Sequence, residues 1–526
     1  MASRDEHQVE RRLSRRFQAS LVFEGALVGL AGGAVVALYR LALSLAEHAL
    51  RAVTGAAAGS ALGVLGWFAA LGVMLVIVSR LISWEPLTSG SGIPQVDAEV
   101  AGRADAPWHR VIAAKFAEGT LLALAGLSLG REGPSVQLGG MSGKAVSRAL
   151  GRRRGEERLL VTCGAAAGMS AAFHAPLTGV LFALEEIHRE FTAPLIISVM
   201  CSSVVADFLV SQVLGARPVL SLVFVQDLPH PSYALVVLLG LVCGLVGALH
   251  NRGMFACQER LYARVTRGLP YARLVVPFAL AGAAAFLWPE LSCGGDAIVE
   301  LLLRPESLPL ATAAALLVGK YLFTTACFGS GAPGGTLFPL VVMGGLLGAL
   351  YAGGAHELVG LPGEYASNFV VLGVVGLFAG VVRAPVTAVV LAFELTGSLD
   401  AFLSASIVSI VAYVASGLTK TDAFYEHLLA AFLKTTTDDP TVSGAGLEKS
   451  LQTVRVGTGS RLEGMLVREV PWPDGARVVT IERAGTDVIP RGETRIRALD
   501  ELLVITEADA ADDVMLKLRL MASQKI

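Results

Sequence analysis

LSLGREGPSVQLGG, Leu127–Gly140, sets an arginine and a glutamate side by side inside a long apolar, glycine-rich region. Gly130 and Gly133 permit a sharp backbone path, and Pro134 suits the first turn of a helix. A helix is therefore predicted to start here, within the apolar region. Its first N–H groups have no intrahelical partners and carry partial positive charge, which makes such an end an anion site. Glu132 beside that end is a tethered competitor for the anion position, and protonation switches it. Arg131 is a poor partner for Glu132, because adjacent side chains point apart. Ionisable groups inside membrane segments are functional by default.

The surroundings read as membrane. The chain has 526 residues, of which 54% are hydrophobic and 16% charged, with mean hydropathy +0.62. A soluble domain carries about 25% charged residues. Apolar runs at Ala61–Val78, Tyr233–Leu249, Leu274–Trp288 and Ala401–Gly417 are candidate spans. Phe338–Tyr351 and Phe369–Val382 are shorter or interrupted, as the discontinuous helices of transporters are. A formal net charge of −2 gives no global basic field for nucleic acid. Six cysteines are scattered singly, with no zinc or disulfide spacing, and read as packing residues. Arg11, Arg12, Arg15 and Arg16 precede the first span, and Arg152–Arg154 mark a second basic loop, so the positive-inside rule puts the N-terminus in the cytoplasm.

The membrane region repeats. KFAEGTLLALAGLSLGREGPSVQLGG from Lys115 aligns with KYLFTTACFGSGAPGGTLFPLVVMGG from Lys320, an offset of 320 − 115 = 205. Gly130 then meets Gly335, and Pro134 meets Pro339. APLTGVLFALEE from Ala175 aligns with APVTAVVLAFEL from Ala384, an offset of 384 − 175 = 209. Duplication of glycine-interrupted helices predicts an all-α polytopic membrane protein of two inverted-topology repeats, with a site at the midplane between them. The expected organisation is a cytoplasmic segment 1–19, a membrane domain 20–434 with halves 20–215 and 230–434, a linker 435–446, and a small cytoplasmic α/β domain 447–526. In that last segment ARVVTIERAG and ELLVITEA read as strands and DDVMLKLRLM as a short helix.

Two further loops repeat the glycine-then-proline design: GSGIPQ, with Gly90, Ser91, Gly92, Ile93 and Pro94, and GGTLFP, with Gly335, Thr336, Leu337, Phe338 and Pro339. Three helix N-termini converging on one anion would replace its water with N–H and O–H donors, without the over-tight binding of a bare cation. On GSGIP, GREGP, GGTLFP and Tyr425 in TDAFYEHLL, in this order and spacing across residues 20–430, the sequence resembles the CLC family of chloride channels and chloride/proton exchangers.

The resemblance implies that Ser91 and Tyr425 offer hydroxyls to a central chloride, with backbone amides near Thr336 and Leu337 and after Glu132 completing the cage. Glu132 becomes the gating glutamate. Glu186, second of the Glu185-Glu186 pair, falls where the family's exchangers carry a proton-accepting glutamate, which favours proton antiport over a passive channel of the same fold. Ser91 points to chloride rather than nitrate or fluoride. GGTLFP departs from the family's usual GGIFAP or GGLFxP in its side chains, leaving backbone donors unaffected. Glu185 and Glu394 are repeat counterparts and read as structural, Glu118 as a polar interhelical contact, and His174 as a turn residue. The resemblance also implies a homodimer in the inner (plasma) membrane with both termini cytoplasmic, and chloride and protons as substrates. No resident cofactor is expected, and no enzyme: the soluble part has no triad, metal cluster or phosphate loop. Gly485–Ile505 resembles the C-terminal subdomain of RCK/Trk-type potassium-transport regulators (TrkA-C), which implies a dimerising, ligand-sensing module with a nucleotide-type ligand.

Overall fold

The computed structural model describes residues 2–507 apart from 153, 190, 216–221, 266–271, 304–307, 438–448, 474 and 484–485, together with 514, 517–518 and 520–522. It divides into two compact units, Met1–Leu433 and Lys434–Ile526.

The first unit is helical. Its first half comprises α1 (Ala2–Ala57), α2 (Ala61–Trp84), α3 (Ile93–Val100), α4 (Trp108–Ala125), α5 (Glu132–Ala149), α6 (Arg154–Phe173), α7 (Pro176–Phe182) and α8 (Ala193–Leu214). The second half comprises α9 (Tyr233–Ala256), α10 (Ala272–Leu287), α11 (Asp296–Leu302), α12 (Leu310–Gly329), α13 (Leu337–Val359), α14 (Ala366–Val382), α15 (Pro385–Thr396) and α16 (Ala401–Leu418). A last helix, α17 (Phe424–Thr437), carries Tyr425. Each helix of the first half has a mate eight places on, and the packing repeats too. The α5–α6 contact recurs as α13–α14, α1–α8 as α9–α16, α6–α8 as α14–α16, and α4–α5 as α12–α13.

Among the described residues, eight helical stretches are long and apolar enough to cross a membrane. The run Leu274–Trp288 gives α10, at 16 residues shorter than those eight. α3 and α11 have only eight and seven residues, so each reaches roughly 12 Å, too short to cross the hydrocarbon. Most exposed side chains of α2 are apolar, including Leu62, Leu65 and Val73, as lipid contact requires, with the polar Arg80 and Ser83 confined to its last two turns. The charged segment 2–19 is not separate from the first span: the backbone of α1 runs through it as one helix.

Small residues set the helix crossings. A Cβ on Gly139 of α5 would lie 2.9 Å from backbone atoms of Gly168 in α6, and one on its mate Gly344 would lie 2.8 Å from the Gly373 carbonyl of α14. Only glycine lets these backbones touch. The two halves also cap one another. Glu394 on α15 accepts from the amides of Leu177 (2.7 Å) and Thr178 (2.7 Å) and the Thr178 hydroxyl (2.6 Å), at the N-terminus of α7. Glu185, 394 − 185 = 209 residues earlier, accepts from Val386 (3.2 Å), Thr387 (2.8 Å) and the Thr387 hydroxyl (2.7 Å), at the N-terminus of α15. Each carboxylate thus satisfies orphan amides and faces a positive dipole end. His174, at φ 59°, closes the preceding turn and pairs with Asp207 at 2.6 Å.

The second unit is an antiparallel sheet, order β1-β4-β2-β3, from β1 (Lys449–Arg455), β2 (Arg477–Arg483), β3 (Thr486–Val488) and β4 (Glu501–Glu507). Leu502, Val504 and Thr506 alternate inward on β4, onto Ile481, Val454 and Leu518. Most of the expected linker and half of the stretch DDVMLKLRLM lie outside the described residues; the described half, 514, 517–518 and 520–521, is helical, and α17 continues to Thr437, inside the expected linker. Asp500, buried at the start of β4, accepts from Arg483 Nε (2.8 Å) and Nη2 (2.7 Å) and from the Arg497 amide (2.8 Å). Burial pushes its pKa up, but the Arg483 pair and the Arg497 amide outweigh that and hold it below the ordinary carboxylate value. A folded pKa below the unfolded one, about 3.9, gives stability that is full above that value and is lost as pH falls through the folded value. Asp500→Ala strands Arg483 and is expected to cost the sheet about 2–4 kcal/mol. Amide hydrogen exchange of β4 in the full chain should quicken accordingly at pH 7, with the difference from the parent shrinking below about pH 4.

Candidate anion and proton site

The loops before α3, α5 and α13 are stitched into one buried knot. Gly130 and Gly335, repeat mates, exchange two backbone bonds, Gly130 N to Gly335 O at 2.6 Å and Gly335 N to Gly130 O at 2.8 Å. Gly90 N donates to Gly331 O at 3.1 Å, and Gly334 N to Gly90 O at 3.0 Å. A buried lysine in each half holds the carbonyls of a neighbouring loop. Lys115 Nζ donates to Thr88 O and Gly90 O, both at 2.7 Å. Lys320 Nζ donates to Leu291 O (3.0 Å) and Cys293 O (2.8 Å). Since 291 − 88 = 203 and 293 − 90 = 203, these are the same two bonds repeated. Glu118, fully buried one turn from Lys115, accepts from the Thr88 hydroxyl at 3.0 Å; it braces the Ser91 loop.

Ser91 is flanked by Gly90 (φ 71°) and Gly92 (φ 98°), left-handed conformations natural to glycine. Ile93 and Pro94 then open α3, with Pro94 in its first turn. A Cβ on Gly133 would lie 2.5 Å from both the carbonyl and the hydroxyl oxygen of Ser91, so the start of α5 presses on this serine. Tyr425 is buried, its ring edge-on to Phe182 at 6.1 Å. Its hydroxyl faces the Ser91 and Thr336 hydroxyls. Although the Ser91, Thr336 and Tyr425 hydroxyls lie near one another, neither Ser91 Oγ nor Tyr425 Oη makes a hydrogen bond of good distance and angle, and both are buried. A buried hydroxyl left unpaired costs about 1–3 kcal/mol. Two such donors side by side at convergent helix N-termini fit an anion. Thr336 stands at the N-cap position of α13 without a side-chain capping bond, and Leu337 and Phe338 begin the helix, all three buried, with Pro339 in the first turn as Pro134 is in α5.

Glu132 is the first residue of α5 and is fully buried. Its Oε2 accepts from the Phe338 amide at 3.2 Å, while Oε1 has no partner. The carboxylate therefore occupies an anion position at the start of α13. Arg131 turns away from it: the guanidinium lies 5.1 Å over the Phe338 ring and 3.7 Å from Asp296. Glu186 lies in a π-helical turn, Ala183–His188, that continues α7 one turn beyond Phe182. It is buried beside Arg189, which donates to the Glu186 carbonyl (3.2 Å) and to Asp97 of α3 (3.3 Å). Glu132 and Glu186 both lie within electrostatic range of the Tyr425 hydroxyl.

Residues 72–417 match the voltage gated chloride channel family. The chain belongs to that family. Residues 451–519 match the TrkA-C domain. The chain is 30% identical over 425 residues to an H(+)/Cl(-) exchange transporter ClcA of Vibrio campbellii, covering 79% of this chain and 90% of that one. It is 33% identical over 376 residues to the ClcA of Yersinia pestis bv. Antiqua, covering 68% and 75%. Among solved structures, a slow cyanobacterial Cl-/H+ antiporter superposes with TM-score 0.75 at 27% identity, over 79% of this chain and 99% of that one. With the family's fold in place, the knot explains why its glycines stand where they do.

Sequence reasoning placed Ser91, Tyr425, Glu132 and the three loops, and the structure brings them together. It missed Phe182, the Asp97–Arg189 pair beside Glu186, and Asp296. Phe182 lay in an apolar run with no polar signal, whereas Asp97 sits five residues into α3, where an acid just past the GSGIP loop was readable. Gly133→Ala is expected to push Ser91 out of place and weaken halide binding at least tenfold in calorimetry of the purified protein, with the fold retained by size-exclusion chromatography.

Proposed function

We propose that this chain exchanges chloride for protons across the membrane, with Glu132 as the gate. The observation that carries the reading is the Glu132 carboxylate bonded to the Phe338 amide beside two partnerless hydroxyls, Ser91 and Tyr425. A charged carboxylate and a chloride compete for the same helix N-terminal donors. A hydrogen bond to a charged group is worth about 1.5–3 kcal/mol, more than a neutral one. Protonating Glu132 removes that advantage of about 1–1.5 kcal/mol, roughly five- to tenfold in occupancy. The neutral side chain leaves the Phe338 amide, chloride takes its place, and the proton departs with the side chain on the outer side. Return of the charged carboxylate expels the anion. Ser91 and Tyr425 hold chloride by hydroxyl donation, so it is bound without a fixed cation and can leave.

Glu186 supplies protons from the cytoplasmic side. Its burial near Asp97 and Arg189, one turn past the ring that touches Tyr425, supports this assignment. The relatives named as H(+)/Cl(-) exchange transporters support antiport over passive conduction. In this reading the protein is a homodimer in the plasma membrane with a separate path in each subunit and both termini cytoplasmic. No step calls on a cofactor. The TrkA-C domain acts as a cytoplasmic modulator, with a nucleotide-type molecule as its candidate ligand.

Proteoliposomes monitored by chloride and pH electrodes test the reading. Glu132→Gln cannot titrate, so chloride flux should persist with proton movement abolished. Glu186→Gln should lower proton flux more than tenfold while leaving part of the chloride flux. Proton pumping that survives in either variant contradicts the role given to that residue.

A further inference from the structure

We propose that Asp296 is a positioning and specificity residue of the outer mouth: it holds Arg131 on the outward side of Glu132 and weakens access of external chloride. The proposal rests on the transport reading above and concerns a residue to which that reading assigns no role.

Two adjoining cavities lead away from the gate. One of about 30 Å³ is bounded by Gly130, Arg131 and Phe338, the residues around the Glu132 carboxylate. The other, of about 210 Å³, continues past Arg51 and Glu290. Both are lined by Glu47, Cys293 and Asp296, so these three residues stand where the inner cavity meets the outer one.

The duplication shows what is special about Asp296. Lys115 fixes the loop before α3, and Lys320 fixes the loop before α11 by the same two carbonyl bonds. Gly92 and Gly295 both precede their helix in a left-handed conformation, at φ 98° and 111°. The two mouths thus share one scaffold, with 294 − 91 = 203 and 296 − 93 = 203. The inner copy carries Ser91 and Ile93, a hydroxyl donor and an apolar side chain. The outer copy carries Gly294 and Asp296, no donor and a carboxylate.

That carboxylate faces Arg131 at 3.7 Å, and the guanidinium stacks 5.1 Å over Phe338, whose amide holds Glu132. Arg131 Nε is buried without a partner, and among the described residues Asp296 is the one carboxylate in ion-pair distance of the guanidinium, with Glu132 and Glu47 farther off. Charges of both signs surround the mouth, with Arg40 and the Glu132 carboxylate also facing Arg131. Arg131 and Arg51 line the cavities, with Lys320 behind Gly295; Asp296, Glu47 and Glu290 oppose them. Neutralising Asp296 makes the low-dielectric funnel one unit more positive and frees Arg131 to face an arriving anion.

The test compares right-side-out and inside-out membrane vesicles from cells expressing the full chain, with initial chloride uptake measured against chloride on the exposed face. Asp296→Asn should lower KM for external chloride by roughly three- to tenfold, with kcat changed less than twofold and KM from the cytoplasmic face unchanged. Asp296→Glu should keep the parent KM, and Glu47→Gln should shift it in the same direction by less. An unchanged external KM in Asp296→Asn, or an equal shift from both faces, overturns the proposal. Parent vesicles without coupled chloride uptake would instead overturn the transport reading itself.

Discussion

Everything at the site depends on two hydrogen bonds between Gly130 and Gly335. These residues are equivalents in the duplicated sequence, and they pair antiparallel with each other. Equivalents can exchange identical bonds only on the axis that relates the halves. The bridge therefore pins that axis between the GREGP and GGTLFP loops, and fixes where α5 and α13 begin. A side chain at either position would collide. A Cβ on Gly130 would sit 3.0 Å from the Pro339 ring, and one on Gly335 would sit 2.9 Å from the Gly133 amide. The Lys115 and Lys320 ammonium groups then hold the two flanking loops by their carbonyls, so the buried carbonyls of Thr88, Gly90, Leu291 and Cys293 are engaged inside an apolar slab.

The duplication supplies the frame, and the chemistry stands where the duplication is broken. The residues kept in both halves are architectural: the glycines at the crossings, the lysines under the loops, and the exchanged caps Glu185 and Glu394. The residues to which we assign a transport role have mates of another kind. Glu132 corresponds to Leu337 (132 + 205), Ser91 to Gly294 (91 + 203) and Glu186 to Leu395 (186 + 209). Symmetry would place identical donors and carboxylates on both mouths and give the protein no direction. Breaking it puts a hydroxyl toward one side and a titratable gate toward the other.

Much of this was legible in the sequence because the constraints act on residue type. A loop that must turn tightly and start a helix inside lipid shows itself as glycines followed by proline, and three such loops could be read directly. Repeat alignment exposed Glu185 and Glu394 as a structural pair and left Glu186 as the odd one. What was not legible depended on relative rotation of elements. Nothing in the run FALEEIHREF says that Phe182 meets the ring of Tyr425, more than two hundred residues away. Arg131 next to Glu132 says nothing of Asp296, which reaches it only because α11 is folded over the loop. Helix length was also hard to read, since the apolar signal of α1 fades before its backbone helix does.

The central claim is that the Glu132 carboxylate and a halide are rivals for one set of donors. Anomalous diffraction from bromide-soaked crystals tests it most directly. The account predicts a bromide peak between Ser91 Oγ and Tyr425 Oη in the parent protein. It predicts a second peak at the Phe338 amide only in Glu132→Gln, where the neutral side chain no longer competes. A bromide at the Phe338 amide with Glu132 charged and still bonded there, or no peak near Ser91 and Tyr425, would contradict it.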